Sequence, residues 1–233
     1  MHMVKCRFSL TAVLILASFA VPGRTPETPE GVDSLLRVVH DRDQAVREEV
    51  IRLSRQVPPQ ADSLLAACAR MEETDAANQR IVAGLLDRNG WPEGISDESS
   101  ETIWLVIDHA DAAMQKRYIP LIEEQVRAGR VSASGYATLL DRILMREGLP
   151  QRYGTQTVSA SRLVEGDSAF VEQRCYLWPV ESPGQLDSLR ATVGLGPVGE
   201  YVKLVGETYG MPCIWDPALG VEELSALADR SGE

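Results

Sequence analysis

Histidine and cysteine are scarce in this chain, and each shortage closes off a class of chemistry. Among 233 residues there are three histidines, His2, His40 and His109, and four cysteines, Cys6, Cys68, Cys175 and Cys213. Two histidines outside the first residues are too few for a zinc site built mainly of imidazoles. The cysteines match neither metal-ligand spacing nor a disulfide framework. A glycine-rich phosphate loop, a Gly-x-Ser-x-Gly elbow and a His-Glu-x-x-His pair are all missing. No metal and no cofactor is expected. Cations are also outnumbered, 23 Lys and Arg against 34 Asp and Glu, for a formal charge of −11. Phosphate binding needs clustered cations, so nucleic acid and anionic lipid are poor partners for such a surface.

The amino terminus has the make-up of an export signal. Lys5 and Arg7 precede an apolar run from Phe8 to Val21, which carries small residues at Ser18 and Ala20 and meets Pro22-Gly23. That run is shorter than the ~20 apolar residues of a spanning helix. Residues 1–20 are therefore expected to be a cleaved signal peptide, with an uncleaved anchor as the alternative. The expected location is periplasmic or extracellular. Cleavage removes Lys5, Arg7 and no acid, leaving 21 cations against 34 acids, or −13. No later segment is apolar for long enough to cross a bilayer. Of the three remaining cysteines, Cys175 and Cys213 form the one bridge considered for an oxidising compartment. Buried free thiols are the alternative.

Residues 21–31, rich in Pro and Gly, read as a flexible lead-in. Residues 32–230 then read as a single, mostly helical domain. Leu35, Leu36, Val39, Val46, Val50 and Leu53 keep one apolar face on a first helix that Pro58-Pro59 ends. A second helix runs from about Asp62 to Arg88 and stops at Asn89-Gly90. A third starts in Ser96-Asp97-Glu98-Ser99, continues past Met114, and is expected to break or kink at Pro120. A fourth spans about Ser134 to Glu147. Near 153–178 the texture changes to Thr, Val, Tyr and Phe around Glu165-Gly166-Asp167, a hairpin signal. Short helices follow at 185–193, 198–208 and 221–229. The fold class is mainly α, a helical bundle with a small C-terminal β-hairpin appendage.

Candidate chemistry begins with His109. On a single helical wheel it flanks the apolar face of Ile103 and Ala110, with Asp108, Asp111 and Gln115 on the other flank beside Trp104. A half-buried imidazole near carboxylates suits proton transfer. A histidine satisfied by a backbone carbonyl at a helix seam is the bland alternative. Asp75 and Asn78 interrupt the stripe of the second helix and need partners, because an unpaired buried polar group costs ~1–3 kcal/mol. Asp43 and Arg47 read as an exposed ion pair worth ~0.3–0.5 kcal/mol. Asp141-Arg142 lies in apolar surroundings and calls for pairing. The string Gln151-Arg152-Tyr153-Gly154-Thr155-Gln156 carries groups that could read a polar ligand or tie a hairpin to a bundle.

Gly90-Trp91-Pro92, His109-Ala110-Asp111 with Gln115, Asp141-Arg142 and the run from Gly148 to Gln156 together resemble the family catalogued as domain of unknown function 6624. Arg190 with Gly194-Leu195, then Tyr201, resembles its closing segment, so the likeness covers roughly residues 35–205. The chain departs from the pattern at Asp108, where the family usually has glutamine, and matches its proline-rich stretch only loosely at Trp178-Pro179-Val180-Glu181. The family brings no activity with it. The resemblance implies that the polar residues recur as a set and favours a shared site.

The expectation is one polar cleft between bundle and hairpin. His109, Asp111 and Asp141 would do acid–base work there, and Asp75, Asn78, Arg142, Gln151, Tyr153, Thr155 and Gln156 would bind a ligand. Arg142 would hold an anionic group. No nucleophile stands out, which disfavours a covalent mechanism. A cofactor-free hydrolase or transferase, a non-catalytic module binding a polar small molecule or an envelope partner, and a structural network all remain open.

Overall fold

Thr28 accepts the Gly31 amide on its hydroxyl at 3.2 Å, and the chain turns helical at the next residue, Pro29. A computed structural model describes residues 28–56, 60–164 and 170–229. The expected export signal, the expected Pro58-Pro59 stop and the expected Glu165-Gly166-Asp167 turn lie outside the described residues. The described residues form two compact units that divide after His109.

The first unit holds helices α1 (Pro29–Ser54), α2 (Ala61–Asn89) and α3 (Asp97–Asp108). Its α1 packs on both α2 and α3. Leu36, Val39, Val82, Ile103 and Ile107 are fully enclosed and form its core. Gly90 stops α2 at φ +73°, a conformation glycine adopts without steric cost. Ser96 caps α3, accepting the Ser99 amide at 3.2 Å. The start of α1 at Pro29 places the last residues of the expected lead-in inside a helix.

The second unit begins with α4 (Ala112–Arg127) and α5 (Ala133–Arg146). Then come β1 (Thr157–Val164), β2 (Phe170–Leu177), a 3-10 turn at Pro183–Gln185, α6 (Leu186–Thr192), α7 (Val198–Tyr209), β3 (Cys213–Ile214) and α8 (Val221–Asp229). The hairpin pairs antiparallel, Thr157 opposite Leu177. β3, too short to show in the sequence pattern, adds in parallel to β2 and gives the order β1-β2-β3. Leu177, Leu186 and Val198 form a core beneath Tyr201, Val202 and Trp215. The mainly helical architecture with a small C-terminal sheet is as read from the sequence.

One helix boundary differs. The expected third helix does not run to Pro120; it ends at Asp108, with His109 as C-cap. Asp111 then turns extended and accepts the Met114 amide at 2.8 Å, starting a new helix. This N-cap decides the break, and Pro120 sits inside α4 at the cost of one backbone hydrogen bond. Among the described residues no helix is long and apolar enough to cross a membrane.

Candidate functional site

In the first unit, the buried stripe of α1 contains a carboxylate. Asp43 falls in register with Leu36, Val39, Val50 and Leu53 and is only 1 % exposed. It is therefore no surface ion pair, contrary to the sequence reading. Its Oδ1 lies 2.9 Å from Arg47 Nη1 and 3.2 Å from His109 Nδ1, and its Oδ2 accepts Gln44 Nε2 at 2.8 Å. Arg47 continues outward to Asp75, meeting Oδ1 at 2.9 Å and Oδ2 at 3.1 Å. The result is a chain of alternating charge, Asp75–Arg47–Asp43–His109. Burial pushes the Asp43 carboxyl up, but the His109 hydrogen bond and charge, Arg47 and Gln44 together hold it below the ordinary carboxylate value.

This arrangement fixes the imidazole. An ionised carboxylate only accepts, so His109 Nδ1 must carry the proton that Asp43 receives. In the neutral ring Nε2 is then the basic nitrogen. His109 is 21 % exposed, whereas its partner is sealed in. Asn78, on α2, donates to the Val39 carbonyl at 3.3 Å, one turn before Asp43.

A groove of about 510 Å³ runs between α1 and α3. Asp33, Arg37 and His40 line one side, and Glu98, Thr102 and Leu105 are among those lining the other. Both rows repeat at helical spacing, and the next members of each are Gln44 and His109. The His109 amide bonds the Leu105 carbonyl at 3.1 Å, so the His109 backbone lies one helical turn beyond Leu105, which lines the groove. Trp104 also lines the groove, and among the described residues its buried Nε1–H has no acceptor. Asp33 is held below the ordinary carboxylate value by hydrogen bonds from Ser99 and Ser96.

The second unit holds the other expected residues, in a network built on a loop. Asp141, on α5, has no exposed surface. It accepts the amides of Arg152 (2.8 Å), Tyr153 (3.0 Å) and Thr155 (3.0 Å), and the Thr155 hydroxyl (2.9 Å). Burial pushes its carboxyl up, opposed by those same bonds from Tyr153, Arg152 and Thr155. Gln151 is equally occupied. Its Oε1 takes the Thr155 and Gln156 amides, and its Nε2 donates to the Gln156 and Trp178 carbonyls. Gln156 Nε2 donates to the Thr138 carbonyl at 3.3 Å.

Three residues close the loop from further along the chain. Arg190, 2 % exposed, donates Nη1 to the Tyr153 and Gly154 carbonyls, each at 2.8 Å. Its Nε reaches the Gly196 carbonyl at 2.6 Å, and its guanidinium stacks 5.0 Å from the Tyr201 ring centre. The Tyr201 hydroxyl donates to the Thr155 carbonyl, and burial pushes its phenol up to about 12. Trp178 Nε1 donates to the Leu149 carbonyl at 2.8 Å. At the other end of the unit, Arg146 Nη1 holds the start of α4 through the Ala110 carbonyl (2.9 Å) and Gln115 Oε1 (2.8 Å).

The expected residues thus fall into the two units. Asp75, Asn78 and His109 belong to the first unit. Asp111, Asp141, Arg142, Gln151, Tyr153, Thr155 and Gln156 belong to the second, where Asp111 is the cap of α4 and Arg142 is half-buried on α5. Asp43 was missed, though a carboxylate in an apolar stripe is a legible signal. Among the described residues no cluster of three or more His, Cys, Asp or Glu is placed to hold a metal ion.

A family model described as "Family of unknown function (DUF6624)" matches residues 30–213. No curated protein and no solved structure matches the chain.

Proposed function

The chain belongs to the family of unknown function DUF6624, and from that premise we propose that it is a cofactor-free hydrolase or transferase in which His109 moves the proton. The observation that carries this reading is the 3.2 Å contact between His109 Nδ1 and the enclosed Asp43. Asp43 sets the tautomer and orientation, and Nε2 takes a proton from water or a substrate hydroxyl as it attacks. Asp43 thereby takes the place that the sequence suggested for Asp111, which caps α4 through Oδ1, or Asp141, both of whose oxygens accept backbone amides. The substrate would lie in the α1–α3 groove, its reacting end toward His109. Export to the periplasm or beyond belongs to the same reading, supported by the leader composition alone.

The test is a screen of carboxylic esters, amides and phosphate esters with the wild type, His109→Ala and Asp43→Asn. Turnover that falls by about 10²–10⁴ in both variants supports the reading. Turnover unchanged in His109→Ala sinks it.

One observation favours a second reading, a binding module without catalysis. The buried Trp104 Nε1–H has no acceptor, and a ligand oxygen in the groove would satisfy it. On this reading His109→Ala still binds the ligand, Trp104→Phe binds it more weakly, and neither protein turns it over.

A further inference from the structure

Cys175 and Cys213 are 38 residues apart in the chain and face each other across the parallel pairing of β2 and β3. Paired positions on neighbouring strands have Cα atoms about 5 Å apart, inside the range of about 4.4–6.8 Å that a disulfide spans. The backbone fixes this pairing, since the Cys175 amide donates to the Pro212 carbonyl at 2.9 Å. The thiols are hydrogen-bonded, with Cys213 donating to Cys175 and the Thr157 side chain also bonded to the Cys175 sulfur. The two sulfurs differ in access. Cys175 is 3 % exposed, while Cys213 is half-buried and lines an open depression with Lys203, Gly206, Glu207, Gly210, Met211 and Pro212.

We propose that Cys175 and Cys213 form a thiol–disulfide exchange site, reached through the depression at Cys213 and closing to an intramolecular disulfide when it meets a disulfide oxidant. This site is independent of the His109 reading, because it lies wholly in the second unit. The first proton leaves the pair near neutrality, since the Cys213 hydrogen bond brings the Cys175 thiol down to about 7 and raises its own. The thiolate rests on Cys175, and transfer of the Cys213 proton to it generates the reacting thiolate on Cys213, the sulfur that the depression exposes. That thiolate attacks an oxidant disulfide, RSSR, forming Cys213–S–SR and releasing one RS⁻. Cys175 loses its proton and attacks the Cys213 sulfur, breaking the mixed bond and releasing the second RS⁻. The two protons from the cysteines end on the two released thiolates. In sum, two protein thiols are oxidised by two electrons to one disulfide, and RSSR is reduced to two RSH.

Oxidised glutathione is the probe, with the full chain. After incubation at pH 7.5, acid quenching and blocking of free thiols, peptide mapping is expected to show one Cys175–Cys213 disulfide. Cys68, buried in α2, is expected to stay free. In Cys175→Ser the reaction is expected to stop at a Cys213–glutathione adduct. A second readout needs no variant: the rate of iodoacetamide alkylation of reduced wild type is expected to rise with a midpoint near 7. An ordinary thiol would titrate near about 8.5. Wild-type protein in which both thiols survive oxidised glutathione, or in which Cys213 remains a stable glutathione adduct, overturns the proposal.

Discussion

Asp43 and His109 are 66 residues apart in the chain and 3.2 Å apart in space, Oδ1 to Nδ1. The buried member is the carboxylate and the partly open one is the imidazole, the order needed if the histidine is to meet a substrate. Removing the carboxylate while keeping its shape should separate orientation from packing. In Asp43→Asn the Gln44, Arg47 and His109 donors all lose a charged acceptor. Any turnover found for the wild type is expected to fall by about 10²–10⁴. Crystal or NMR data are expected to show the His109 ring turned or its tautomer changed. A variant that keeps full turnover would remove the dyad from the mechanism.

Acid should loosen the first unit through the same carboxylate. Asp43 has a folded pKa below its ordinary value of 3.8. A group depressed on folding contributes stability that is complete above the unfolded value and disappears as pH falls through the folded one. Asp33 shifts in the same direction, held by Ser99 and Ser96. The melting temperature is therefore expected to drop between pH 4 and lower values, and Asp43→Asn is expected to flatten part of that drop. Thermal melts at a series of pH values measure both.

Asp141→Ala is expected to be far more damaging than a typical surface change. It leaves the amides of Arg152, Tyr153 and Thr155 and the Thr155 hydroxyl without their acceptor. At ~1–3 kcal/mol for each unsatisfied buried group, the loss is on the order of 3 kcal/mol or more. Asp141→Asn keeps one acceptor oxygen and should lose less. Urea unfolding of the two variants gives the order directly, and equal stability of Asp141→Ala and wild type would contradict the loop's dependence on this residue.

Gly154 is a second sensitive point. Its φ is +64°, and an added Cβ would come within 3.3 Å of both Leu186 methyls. Gly154→Ala combines left-handed backbone strain of about 1–2 kcal/mol with pressure on the core of the second unit. The expected readout is a lower melting temperature, with Gly148→Ala as a comparison: it bears similar strain at φ +69° but has open space around the new methyl.

Much of the helical frame could be read from the sequence because it rests on local chemistry. The α2 stop at Gly90 and the hairpin strands are set by glycine conformation, periodicity and β-branched content, all of which act over a few residues. The break at His109–Asp111 was harder to see. Proline at 120 is the louder local signal, yet Asp111 caps at its own position and Arg146, 31 residues from Gln115, secures the start of the new helix. β3 has only two residues and depends on where α7 delivers the chain. In the candidate sites, the need of Asp75, Asn78 and Asp141 for partners was evident, but the partners were not. Arg47, the Val39 carbonyl and the loop amides are brought to them by packing between elements distant in sequence. Asp43 carried a local signal, its place in the apolar stripe, and its i,i+4 arginine suggested a surface pair instead.

The Arg190 fork joins two moments in the making of the protein. Tyr153 and Gly154, whose carbonyls it holds, are synthesised 36 or 37 residues before it, and Tyr201, which ties down Thr155, comes later still. Asp141 and Gln151 can gather the loop amides while the chain is still short, but the carbonyl side stays open until α6 and α7 have emerged. The carbonyl side of the loop is therefore completed only by segments that are synthesised after it.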